Sequence, residues 1–168
     1  ITRLNSAEAQ FVNAGKEFTE NGFYADNNFF SIFTFPLIVN SSKVLADPNA
    51  IAISETMAIK IFGNVNCVGK TLQMKEGDKQ HAFHITAVFR KVPGQSTLQF
   101  DFVMPFERFL ADNPWALETG STSNETWIVL KNTADPKKVE AKIKNLIIKQ
   151  ESTLNQELML FPLSDKLL

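Results

Sequence analysis

Residues 48–74, PNAIAISETMAIKIFGNVNCVGKTLQM, set a short strand, a short helix, a glycine and a second strand in that order, and this order limits what the chain can become. Ile51 and Ile53 alternate with small residues, as in a strand. Ser54 stands where a helix N-cap belongs, Met57, Ala58, Ile61 and Phe62 share one helical face, and Gly63 can take the left-handed conformation that stops a helix. The stretch also contains Gly63-Asn-Val-Asn-Cys-Val-Gly69-Lys70-Thr71, which has the look of a phosphate-binding loop. Such a loop has four residues between its glycines and leads from a strand into a helix, so that successive amides curl round the anion. Here five residues intervene and the helix comes first, so no helix N-terminus faces the loop. The expectation is a glycine-stopped helix, then a turn into a strand, with no nucleotide bound.

Alternation continues beyond the loop. Leu72 and Met74 point one way and Thr71 and Gln73 the other, and Glu76-Gly77-Asp78 reverses the chain. Phe83, Ile85, Ala87 and Phe89 then alternate with His84, Thr86 and Val88 in a longer strand that pairs with the first. Pro93-Gly94 marks a turn over residues 91–96, after which Leu98, Phe100, Phe102 and Met104 alternate with Gln99, Asp101 and Val103 in a third strand. Residues 48–104 therefore read as a compact antiparallel unit with one helix.

On the N-terminal side, residues 9–13 and 17–26 flank Ala14-Gly15-Lys16 as a hairpin, and residues 1–4 read as the end of another strand. Asn27-Asn28 precedes Phe29, Phe30, Ile32 and Phe33 at helical spacing, a capped turn of helix carrying core aromatics, with residues 35–39 extended behind it. Asp47-Pro48-Asn49 ends a polar connection and marks a subdomain boundary. On the C-terminal side, residues 105–111 suit a short helix, 112–124 a loop, and 125–131 a strand centred on Trp127 to Leu130. Asp135-Pro136 starts a helix predicted to reach about Gln150, with Val139, Ile143, Leu146 and Ile147 inward and Lys137, Lys138, Lys142, Lys144 and Lys149 on a solvated face. Residues 158–163 read as a closing strand. The fold class is α+β.

Composition narrows the functions. A chain of 168 residues with 15 Phe and one Tyr has material for an aromatic core, and a formal charge of -1 gives no general field for nucleic acid. The single Cys67 excludes an intrachain disulfide and a cysteine zinc cluster, and leaves the redox compartment open. No apolar run approaches the ~20 residues that span a bilayer, and no secretory leader is evident. The sequence begins at Ile1 without a methionine, as a piece of a longer polypeptide would.

The candidate chemistry is sparse. His81 and His84, spaced by three on one strand, fall on opposite faces and cannot share a metal. Cys67 lacks an adjacent base, and nothing in the spacing brings Asp26 or Glu55 together with Asp101 as a carboxylate pair. No catalytic, cofactor-binding or metal-binding residue is assigned.

Several strings together, FYADNNFFSIFTFPLI, DPNAIAISETMAIKIFGNVNCVGKTL, LQFDFVM, ETWIVLKNTADPKKVEAKI and FPLSDKLL, resemble in content, order and spacing the extracytoplasmic core domain of MacB-like (FtsX-like) ABC transporter permeases. The resemblance covers nearly the whole chain. It implies two α+β subdomains: a porter-like lobe, a split strand-helix-strand unit, from residues 1–47 and 105–168, and a smaller inserted lobe with antiparallel strands from 48–104. It further implies a non-catalytic domain between the first two transmembrane helices of a permease, on the periplasmic side of the inner membrane. ATP is hydrolysed in a separate cytoplasmic domain or subunit, no cofactor is held, and the work is export or mechanotransmission. The implied partners are the flanking transmembrane helices, the ATPase, a membrane-fusion protein and outer-membrane channel, and a second permease copy. Two departures stand out: the family has a strand and helix ahead of the segment that opens at Ile1, and Cys67 occupies a place where proline is common. A free-standing secreted ligand-binding or adhesion module is the alternative from another class.

Overall fold

The computed structural model describes residues 1–118 and 124–166. The part of the expected 112–124 loop at 119–123, and the last two residues of the FPLSDKLL string, lie outside the described residues. Among the described residues eight strands form one sheet: β1 (Thr2–Asn13), β2 (Lys16–Ala25), β3 (Leu37–Asn40), β4 (Ala50–Ser54), β5 (Thr71–Glu76), β6 (Lys79–Phe89), β7 (Phe102–Pro105) and β8 (Glu125–Trp127). The helices are α1 (Phe29–Phe33), α2 (Glu55–Phe62), α3 (Phe106–Asp112), α4 (Pro136–Ile143), α5 (Leu146–Gln150) and α6 (Leu163–Lys166), with a 3-10 turn at Pro114–Leu117. The class is α+β, as expected.

The sheet closes on itself. β1 pairs β2 on one side and β5 on the other, β2 pairs β7, β7 pairs β4, β4 pairs β6, and β6 returns to β5. Six strands thus form a ring, with β8 a branch on the start of β1 and β3 a branch on the end of β6. Strands from both expected lobes share this ring.

Period-two alternation decides what lies inside it. Phe11, Phe18, Ile51, Ile53, Leu72, Met74, Phe83, Ile85, Phe102 and Met104 face a common interior. Helix α2 adds Met57, Ala58 and Ile61 near the β1–β2 hairpin tip, where Asn13 Nδ2 donates to the Ile61 carbonyl at 3.1 Å and Lys60 pairs with Glu20 at 2.6 Å. Toward the far end of β2, α3 brings Phe109 against Tyr24, ring centroids 5.5 Å apart, and sets the Arg108 guanidinium over the Phe83 ring.

A second core lies on the outer face. Ala52, Ala87, Phe89 and Val103 turn away from the interior and pack with Leu4, Ala25, Phe29 and Phe100. Phe100 is its hub, meeting the rings of Phe23, Phe29, Phe35 and Phe89 at centroid distances of 4.9–5.6 Å. The phenylalanines that the sequence placed in a core are there.

Several expectations change. Residues 1–4 do not end a separate strand: Thr2 to Asn13 is one strand. The antiparallel reading of residues 48–104 fails at β4–β6, which is parallel because α2 and β5 carry the chain back across before β6 begins. The uniform face expected along β6 is broken at Thr86, where the register with β4 steps from Ile51↔Ile85 to Ala52↔Ala87. This bulge reverses the alternation, so that Phe83 and Ile85 line the interior while Ala87 and Phe89 enter the outer core. Residues 98–101 are not strand, since Phe100 is drawn into the phenylalanine cluster and Gln99 Nε2 is bound to the Pro93 and Ser96 carbonyls. Asn28 does not cap α1 with its side chain, which donates instead to the Ile1 carbonyl at 2.7 Å.

The C-terminal part departs furthest. The strand at 125–131 shrinks to the three residues of β8, and the single helix to Gln150 is interrupted at Lys144-Asn145. Asp135 and Pro136 do start α4, the carboxylate accepting from the Lys137 amide at 3.0 Å. Its expected inner face buries no residue, and Leu146 is 42% exposed. Residues 158–163 form no closing strand because their amides turn to the helix: Leu158 N donates to Lys144 O and Leu160 N to Glu140 Oε1.

Candidate functional site

The glycine-lysine-threonine loop is the first place to look for chemistry, and its backbone decides the matter. Gly63, at φ 76°, donates to the Ile59 carbonyl and ends α2. Asn66 N donates to Asn64 Oδ1, Cys67 N to Val65 O, Gly69 N to Ile85 O and Lys70 N to Cys67 O, all at 2.8–3.0 Å. An anion cradle needs amides that point outward and unpaired. These five are already spent within the protein. Lys70 Nζ lies 5.2 Å from the Phe62 ring centre, a cation–π contact that lays the side chain over the end of α2. Cys67 is fully buried, and burial pushes its thiol up against the weaker opposing effect of Lys70, which removes it further from a reactive thiolate.

The carboxylates are dispersed into structural contacts. Ser54 Oγ accepts from Met57 N at 2.9 Å and donates to Asp101 Oδ1 at 2.5 Å, so Asp101 buttresses the cap of α2. Asp26 takes two side-chain hydrogen bonds from Arg3, at 2.7 and 3.1 Å, and a third from the Arg3 amide at 2.7 Å. Burial opposes ionisation of Asp26, but those bonds and the Arg3 charge together hold its carboxyl below the ordinary aspartate value. The Arg3 guanidinium also stands 4.2 Å from the Phe106 ring centre, which ties the start of β1 to α3.

At the β5–β6 turn, Glu76, Asp78, Lys79 and His81 meet Asp112 of α3 around an open hollow of about 480 Å³. His81 Nε2 is 3.3 Å from Glu76 Oε2, and Arg108 pairs with Asp112 at 2.9 Å. Burial raises the Tyr24 hydroxyl, reinforced by Asp112. His81 sits opposite Met74 and His84 opposite Thr71, so the two histidines occupy different faces, as their spacing implies. Among the described residues no three His, Cys, Asp or Glu side chains converge as metal ligands.

An apolar groove lies elsewhere. Glu125, Trp127 and Ile128 form one wall of a groove of about 460 Å³, and Met159, Phe161 and Leu163 form the other. Met159 is 61% and Phe161 75% exposed. The sequence reading missed this groove because it buried residues 158–163 in a strand. The signal was an apolar residue at every position from 158 to 163, where a strand with one wet face alternates.

Comparison with known proteins gives the family. A model for the MacB-like periplasmic core domain matches residues 1–146. The chain is similar to a solved domain described as that of a permease protein from Porphyromonas gingivalis, at 20% identity and a TM-score of 0.75, covering 99% of this chain and 77% of that one. It is also similar to the periplasmic region of MacB from Actinobacillus actinomycetemcomitans, at 15% identity and a TM-score of 0.65, covering 90% of this chain and 66% of that one. The extracellular domain of the noncanonic ABC-type transporter YknZ from Gram-positive bacteria matches at 14% identity and a TM-score of 0.61, covering 95% and 80% of the two chains. At these identities the structures show likeness of fold. No curated protein matches the chain. No helix among the described residues is long and apolar enough to cross a membrane.

Proposed function

Because the chain belongs to the family of MacB-like periplasmic core domains, we propose that it serves as the non-catalytic extracytoplasmic domain of an ABC transporter permease of MacB/FtsX type, carrying motion from cytoplasmic ATP hydrolysis to export or mechanotransmission outside the inner membrane. The observation that carries this reading is the family match across residues 1–146. The loop that most resembles a nucleotide site adds to it, since its amides are internally bonded and its lysine lies against Phe62. On this reading ATP binds to a separate cytoplasmic domain or subunit. The partners are the flanking transmembrane helices, that ATPase, a membrane-fusion protein with an outer-membrane channel, and a second permease copy.

The test separates the domain from the engine. The full permease is reconstituted in vesicles with its ATPase, as wild type and with Gly22→Val, which drives a branched side chain into the Phe102 carbonyl across β2–β7. ATP hydrolysis should persist in both, and transport or partner activation should fall in the variant. A nucleotide-dependent thermal shift of the isolated chain that Lys70→Ala abolishes would overturn the proposal.

A further inference from the structure

Burial divides this chain unevenly. Among the described residues every fully buried side chain lies between Thr2 and Phe109. Beyond Phe109 there is none, and β8, α4 and α5 bury no residue completely.

Among the described residues the C-terminal part meets the ring at the β1–β8 ladder and the side chains beside it. β8 pairs with β1 through Thr2↔Trp127, Arg3↔Thr126 and Leu4↔Glu125. Beside that ladder Asn5 Nδ2 donates to Asn124 Oδ1 at 3.0 Å, and Trp127 meets the Phe33 ring edge to face at 5.3 Å. The Thr2 hydroxyl, fully buried there, has no hydrogen-bond partner among the described residues. A buried donor left unmade weakens the place that holds it.

Within the segment, α4 is tied to the chain that returns along it. Leu158 N donates to Lys144 O at 3.0 Å, Leu160 N to Glu140 Oε1 at 3.3 Å, and Lys144 pairs with Glu157 at 3.2 Å, which lays the returning chain along α4. β8 is also a branch and not a member of the ring, so parting it from β1 breaks no ladder of the barrel. The β1 residues it leaves behind stay fixed by Arg3 on Asp26 and by the β2 ladder from Leu4↔Ala25 onward.

We infer that residues 125–165 are a strap: they dock on the ring through the β1–β8 junction and release from it as one unit while the ring stays folded. The inference stands on packing alone and is independent of the transporter reading. Opening moves the β8 wall and the 159–165 wall of the apolar groove together, so the groove travels with the strap.

Hydrogen exchange on the whole chain across a denaturant series tests it. Amides of β8 and α4 should share one protection factor, at least roughly a hundredfold below that of β2, β4 and β6, because local opening exposes little surface. Their exchange should also be nearly independent of denaturant, while exchange of the ring follows global unfolding. Trp127→Ala should speed exchange of both β8 and α4 severalfold and leave the ring unchanged. Protection and denaturant slopes equal to those of the ring would overturn the inference, and so would β8 and α4 exchanging at different rates. A Trp127→Ala effect spread evenly through the ring would do the same.

Discussion

At the scale of single residues, close approach matters more than charge. Gly22 faces Phe102 across β2–β7, and a Cβ there would run into both the carbonyl and the ring of Phe102. Backbone cannot yield as a flexible side-chain tip can. Gly22→Ala should therefore cost roughly 1–3 kcal/mol, the range of an overpacked core, and lower Tm by several degrees in a thermal scan. Asp26 makes a different prediction. Its carboxyl titrates below the ordinary aspartate value in the folded chain, so its stabilisation is complete above that value and fades as pH falls through the lower folded one. Asp26→Asn should lose about 1–2 kcal/mol at neutral pH, a modest figure because Arg3 is 37% exposed and partly screened by solvent. Denaturant titrations at several pH values should show the gap between wild type and variant holding at pH 6–8 and closing below about pH 4.

At the scale of elements, what could be read in advance was what local chemistry decides. The Ser54 cap, the apolar face of Met57, Ala58 and Ile61 and the Gly63 stop gave α2 its residues, and each is met in the structure. Asp135-Pro136 likewise placed the start of α4. What escaped depends on contacts distant in sequence. The bulge at Thr86 carries β6 from the inner core to the outer one against its partner β4, which no alternation within β6 could announce. The failure at 158–163 has the same origin, for apolar residues on both sides of a segment do not say which neighbour will cover them. In the candidate loop, reversed element order was enough to argue against phosphate binding, whereas the partners of its amides required the fold. The bulge is testable through its hydroxyl. Thr86 Oγ1 lies 2.5 Å from the Val44 carbonyl and 3.2 Å from that of Ile51, and its one proton serves the nearer. Thr86→Val keeps the shape and removes the donor, and chemical denaturation should show a loss of about 1 kcal/mol with an unchanged m-value.

At the scale of the molecule, closure of the ring is the dominant fact. An open sheet has two outer strands from which it can come apart one ladder at a time. Each of the six strands here is held on both sides, so none can leave without breaking two ladders at once. Global opening is then all-or-none and has a high barrier. The ring should unfold with single-exponential kinetics, and slowly for a chain of its equilibrium stability, in stopped-flow fluorescence with denaturant. Among the described residues the branches β3 and β8 are each paired along one side only, and within the ring β1 has no second partner over residues 5–9 nor β2 over residues 16–21. Unpaired strand edges are where chains add to one another, so self-association under stress should begin at these edges and not at β4, where Ala52 and Ile53 are paired on both sides.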